Sequence, residues 1–116
     1  MAAGAGLDVV EIARLRRLRA RRPEFFARYF SEPEREWAEA AGDPARLYAR
    51  AFAAKEAFLK AVGRGVLDGI PMTEVELHDD VLRLGARARE AVGANAWVSV
   101  SISDDRARAW AIVLVG

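Results

Sequence analysis

Hydrophobic and polar positions alternate with clear periods along most of the chain. Leu7, Val9 and Val10 follow a glycine-rich lead and predict a short strand over residues 5–10, interrupted by one acid, Asp8. Residues 11–22, EIARLRRLRARR, set Ile12, Leu15 and Leu18 at helical spacing and fill most other positions with arginine. A helix with a narrow apolar stripe under a basic coat is expected. Pro23 breaks it, and Phe25, Phe26, Tyr29 and Phe30 form an aromatic cluster that a short helix would bury. Ser31 then reads as an N-cap, with Pro33 in the first turn and Glu34 at capping-box spacing. That helix is expected to run to about residue 41 and stop at Gly42.

Asp43 followed by Pro44 is a second start signal, and alanine, leucine and straight-chain residues dominate from there to Gly63. This is the longest predicted helix. After turns at 63–65 and 69–71, residues 74–77 alternate polar and apolar, and Asp79 and Asp80 form a tight turn into residues 81–84, a hairpin pattern. Residues 85–92 read as helical and 93–95 as a loop. Val98, Val100 and Ile102 alternate with Ser99, Ser101 and Ser103, whereas residues 110–115 are almost continuously apolar. A loop over 104–106 joins the two as an antiparallel pair. With no repeat and no linker, the order predicts one α+β domain over residues 1–116, a mainly antiparallel sheet packed on a long helix.

Composition narrows the function. At 116 residues and 53% hydrophobic content the chain can bury a core unaided, and it contains no cysteine, which removes disulfides, thiolate chemistry and cysteine-held zinc. Eighteen basic and seventeen acidic residues give a net charge of +1, too small for a chain-wide field that would grip nucleic acid or an anionic membrane. The lone His78 cannot supply a multi-histidine metal site and reads as a turn or rim residue. Residues 1–10 lack the pattern of a signal peptide, and no apolar stretch approaches the roughly 18 residues of a membrane span. A soluble, cytoplasmic protein is expected.

Four charged residues stand out. Lysine occurs twice against sixteen arginines, and both, Lys55 and Lys60, lie on the long helix. A compact ammonium in a sequence that elsewhere writes arginine is either ordinary surface chemistry or a point charge suited to a phosphate. Glu56 and Lys60 share a helix face four residues apart, a spacing that also makes a routine ion pair of about 0.2–0.5 kcal/mol. Asp8 is different, because a charge inside an apolar strand needs a cation. An arginine, Lys60 or a metal would each serve. Two carboxylates from separate elements, Asp8 and Glu56, suit magnesium, which usually keeps only one or two protein ligands.

The strings GAGLDVVEIARL (residues 4–15), FSEPE (30–34), FAAKEAFLKAVGRGV (52–66) and VSVSISDDRARAWAIVLV (98–115) cover nearly the whole chain. In order and spacing they resemble the holo-acyl-carrier-protein synthase family of 4'-phosphopantetheinyl transferases. The resemblance implies magnesium-dependent transfer of 4'-phosphopantetheine from coenzyme A to a serine of an acyl carrier protein, releasing 3',5'-ADP. It implies a metal held by Asp8 and Glu56, and catalysis by Glu56 and Lys60. By residue type, Glu56 or a water oriented by it or by Glu34 is expected to take the serine proton. Coenzyme A would be met by Arg50, Lys60, Ser103 and the backbone of Gly63 and Gly65. The carrier would dock on Arg14, Arg17, Leu18 and Arg21, whose positive charge complements an acidic helix. A homotrimer is also implied.

Three departures fall on the coenzyme A side. Ser103-Asp104-Asp105 stands where the family has Ser-His-Glu, Ala51 where it has arginine with Arg50 about 100° round the helix, and His78-Asp79-Asp80 where it has a Gly-Lys-Pro stretch. They motivate the alternative expectation: a divergent relative that binds carrier protein without transfer, or that acts differently on a carrier-bound substrate.

Overall fold

In the computed structural model, which describes residues 3–63 and 69–116, strand β1 (Gly4–Glu11) opens the fold and is followed by four helices. These are α1 (Ile12–Arg21), α2 (Pro23–Tyr29), α3 (Glu32–Glu39) and the long α4 (Pro44–Ala61). A one-turn 3₁₀ helix (Met72–Glu74) leads into the hairpin of β2 (Val75–His78) and β3 (Val81–Leu84). Helix α5 (Ala86–Val92) and strands β4 (Val98–Asp104) and β5 (Arg108–Val115) complete it. The strands β1, β5 and β4 form an antiparallel sheet in that order, and β2 pairs with β3 separately.

The core lies between α4 and the inner face of the three-stranded sheet. Ala109, Ala111, Val113 and Val115 of β5 point inward and are buried, while Ile112 and Leu114 point outward and are exposed. The unbroken apolar run of residues 110–115 therefore reflects two apolar faces rather than a strand covered on both sides. Helix α4 meets this layer with small residues: Ala49, Ala53, Ala54 and Ala57 are all fully buried. Phe25, Phe26, Tyr29 and Phe30 pack against Tyr48 and Phe52 of α4 beside it.

Close approach of β1 to α4 rests on glycine. A Cβ on Gly6 would lie 1.9 Å from the carbonyl oxygen of Ala57, and one on Gly4 2.0 Å from that of Ala61. Both obstacles are helix backbone, which cannot swing aside. Gly6→Ala is accordingly expected to lift the strand and cost about 3 kcal/mol, the upper part of the usual overpacking range. An unchanged midpoint in urea denaturation would contradict this packing.

Local signals behave as the end chemistry requires, with two exceptions. The Ser31 hydroxyl accepts from the Glu34 amide while the Glu34 carboxylate accepts from the Ser31 amide, the reciprocal box its spacing predicts. Asp79 and Asp80 take φ of 52° and 59°, the left-handed pair of a two-residue hairpin turn that aspartate tolerates. Asp43, however, does not cap α4, because its carboxylate is drawn to the Arg16 guanidinium 3.2 Å away. Helix α3 ends at Glu39, short of residue 41.

Candidate functional site

Period-two alternation places Gly4, Gly6, Asp8 and Val10 on the inner face of β1, with Asp8 opposite Ala111 of β5. The two glycines bring that face onto α4, so Asp8 arrives beside the helix at the level of Lys60. Lys60 supplies the cation that Asp8 needs: its Nζ donates to Asp8 Oδ1 and to the Leu7 carbonyl, each at 3.0 Å. The aspartate side chain is only 16% exposed but the lysine is 55% exposed, so the pair opens to solvent from the lysine end.

One helical turn before Lys60, Glu56 Oε1 accepts a hydrogen bond from the Tyr29 hydroxyl. The sequence marks Tyr29 only as a member of an aromatic cluster. Its ring packs near-parallel to those of Phe25 and Phe52, with centroid separations of 5.0 and 4.9 Å. Burial, then the hydrogen bond to Glu56 and the charges of Glu56 and Asp8, push the phenol well above its ordinary range, with Arg14 opposing them. The Arg14 guanidinium itself lies 5.2 Å from the centre of the Phe52 ring.

Asp8 Oδ2 and Glu56 Oε2 carry no hydrogen bond among the described residues. Two hard carboxylate oxygens from separate elements, at a solvent-open edge, match the few protein ligands magnesium takes while retaining water. No cluster of three or more histidine, cysteine or acidic residues exists among the described residues, so a site that demanded a full protein cage would find none.

The second lysine has another role. Lys55 is fully buried, and its Nζ donates at 2.7 Å to Glu34 Oε1 and to the carbonyls of Met72 and Val75. Three acceptors around one nitrogen fit an ammonium and not a planar guanidinium. Burial pushes this ammonium below the usual lysine range, with Glu34 opposing. Glu34 also accepts from the Leu77 amide through its other oxygen, so it ties α3, α4 and β2 together. With both oxygens engaged and the side chain 2% exposed, Glu34 is a structural anion with no oxygen left to orient a water for the serine proton.

The departures near the coenzyme A positions prove to be one cluster. Asp104 accepts from Arg46 and Arg50, and Arg50 also donates to Asp80 at the hairpin turn, 2.8 Å away. Burial alone would push the Asp104 carboxyl up, but the two guanidiniums outweigh it and hold it below the usual range. The acid that stands where the family has histidine is therefore neutralised by arginines of α4. These residues, with Ala51 and Trp37, line a cavity of about 580 Å³. Arg50 is engaged by carboxylates and not free for a phosphate. Ser103 faces the opposite, outer side of β4, exposed and paired with Trp110. Gly63 follows α4 with φ of 68°, and Gly65 lies outside the described residues. His78 ends β2 at the rim, 6.0 Å between ring centres from Trp37.

On α1 the arginines divide into two groups. Arg16 pairs with Asp43 and Arg19 with Glu39, tying the helix to its neighbours. Arg14, Arg17 and Arg21 are exposed with no acidic partner among the described residues, and Leu18 is partly buried beneath them.

Residues 4–113 match the family model of the 4'-phosphopantetheinyl transferase superfamily. The chain belongs to that superfamily. It is 37% identical over 123 residues to the holo-acyl-carrier-protein synthase of Syntrophus aciditrophicus, covering 99% of this chain and 96% of that one. Identity to the same synthase of Alkalilimnicola ehrlichii is 41% over 125 residues, covering 99% and 97%. Among solved structures, the synthase–CoA complex of Chronobacterium ammoniagenes superposes with a TM-score of 0.83 at 28% identity, covering 100% of this chain and 98% of that one. The synthase of Bacillus anthracis in complex with CoA (3',5'-ADP) gives 0.80 at 28% identity, covering 97% and 94%. The α+β fold expected from the sequence is that of these superfamily structures.

Proposed function

We propose that the protein transfers 4'-phosphopantetheine from coenzyme A to a serine hydroxyl of an apo acyl carrier protein, with magnesium. The observation that carries this reading is the solvent-open Asp8–Lys60 pair, with Glu56 one helical turn before Lys60, in a chain of this superfamily. In the transfer, the serine Oγ forms a bond to the phosphorus bearing the pantetheine, the bond from that phosphorus to the bridging oxygen breaks, and 3',5'-ADP leaves. Asp8 and Glu56 would hold magnesium, which supplies positive charge against the diphosphate. Lys60, on a flexible exposed stem, turns its ammonium from Asp8 to the leaving phosphate and neutralises charge there. A water oriented by Glu56 takes the serine proton. Glu34 is removed from that role by its own hydrogen bonds.

Incubation with coenzyme A, magnesium and an apo carrier tests the proposal, because transfer raises the carrier's mass by one phosphopantetheine. Carrier that binds without gaining mass would favour the non-transferring alternative.

The free arginines of α1 are the proposed carrier-docking face. Charge reversal by Arg17→Glu and Arg21→Glu together is expected to raise the Michaelis constant for the carrier about tenfold at low salt and less at high salt, with kcat little changed. A salt-independent constant equal to that of the unaltered protein would dismiss this face.

The homotrimer is supported by the outer side of the sheet. Leu7 sits opposite Ile112 in the β1–β5 register, and with Val9 and Leu114 they form an exposed apolar group; Leu7 is 54% exposed. Such a contiguous surface marks an interface. Light scattering is expected to give three times the chain mass, and a monomer across the micromolar range would contradict it.

A further inference from the structure

The aromatic cluster contains two hydroxyls, and each is aimed at a carboxylate. Tyr48 donates to Glu39, a glutamate already paired with Arg19, in a contact that joins α3 to α4. Tyr29 donates to Glu56, which lies at the proposed site and has water available to it. Packing alone does not call for a hydroxyl at position 29. The neighbours Phe25, Phe30 and Phe52 carry none, and a phenylalanine would pack against Phe25 and Phe52 equally well. Solvent would satisfy an open Glu56 without help. What the tyrosine adds is direction.

Held by near-parallel packing against the Phe25 and Phe52 rings, the Tyr29 oxygen cannot follow Glu56 through its rotamers. The carboxylate must come to it. Oε1 is then committed to the phenol, and Oε2, which carries no hydrogen bond among the described residues, is left as the oxygen free to bind. A glutamate has three side-chain torsions, and holding one of its oxygens removes most of that freedom before any ligand arrives.

We infer that Tyr29 is a positioning residue that presents Glu56 through a single oxygen to the divalent cation. This inference rests on the metal reading of Asp8 and Glu56 above. Groups that orient a metal ligand through a hydrogen bond commonly contribute 10- to 100-fold in metal affinity, and an effect at the lower end is expected where Glu56 is partly solvated.

Manganese titrated into the protein alone, with free ion read by electron paramagnetic resonance, tests it without turnover. Tyr29→Phe keeps the stacked ring, so its thermal midpoint should remain near that of the unaltered protein while manganese affinity falls about tenfold. In the transfer assay the same variant should need correspondingly more magnesium for half-maximal rate and regain most of kcat when magnesium is saturating. A role in packing alone would move neither magnesium dependence nor manganese affinity. Glu56→Gln serves as the reference and should lose manganese binding, with no further loss when Tyr29→Phe is added to it. Manganese affinity of Tyr29→Phe within about twofold of the unaltered protein, or tighter, beside a Glu56→Gln that has lost binding, overturns the role of Tyr29 and leaves the metal reading standing. Full manganese binding by Glu56→Gln overturns both.

Discussion

Asp8→Asn should reduce kcat for carrier modification about 1,000-fold, roughly 4 kcal/mol of transition-state stabilisation, while the protein stays folded. The substitution keeps the side chain's size and removes its charge. Two consequences follow from the geometry. One of the two oxygens available to a divalent ion becomes a neutral amide, and Lys60, which now donates to Asp8 Oδ1 at 3.0 Å, loses its charged partner. Stability should barely respond, because the Asp8–Lys60 pair opens to solvent through a lysine that is 55% exposed, and exposed pairs contribute at most about 1 kcal/mol. Steady-state kinetics with a parallel urea denaturation would show activity lost and stability kept. Retained turnover would remove Asp8 from the site.

Lys55→Met should do the reverse, lowering stability by about 3–5 kcal/mol. The ammonium is fully buried, and without it Glu34 is left as an unpaired charge with the carbonyls of Met72 and Val75 unsatisfied. The asymmetry matters. A buried ion pair contributes little compared with a well-packed apolar pair, but removing one partner strands the other. Glu34→Gln added to Lys55→Met should therefore recover part of the loss, since an uncharged amide costs less to bury. Urea denaturation of the single and double variants reads this directly. A loss below about 1 kcal/mol for Lys55→Met would mean that the Glu34 charge finds another partner.

Features decided within a few residues could be read from the sequence. The Ser31 and Glu34 box, the Asp79–Asp80 turn and the alternation that points Asp8 inward each follow from chemistry local to them. Asp8 was legible as a residue in need of a cation for a physical reason, a charge where a strand should be apolar, and Lys60 was one of the three partners that reasoning allowed. Contacts across the fold were not legible. The two lysines look alike in sequence, yet Lys55 faces Glu34 and the β2 segment while Lys60 faces β1, because they are five residues apart and point to different sides of α4. Tyr29 carried the signal of an aromatic core residue, and its hydroxyl acquires meaning only when Glu56, distant in sequence, is brought to it. In the same way Asp104 and Arg50 appeared as separate departures until the end of β4 was set against α4 and their charges met.

Crystals grown with manganese and coenzyme A would test most directly whether the two carboxylates meet around an ion. The anomalous signal of manganese is predicted to peak between Asp8 and Glu56, at bonding distance from an oxygen of each and beside the diphosphate. A peak held elsewhere, or coenzyme A bound with its diphosphate turned away from both residues, would contradict the account.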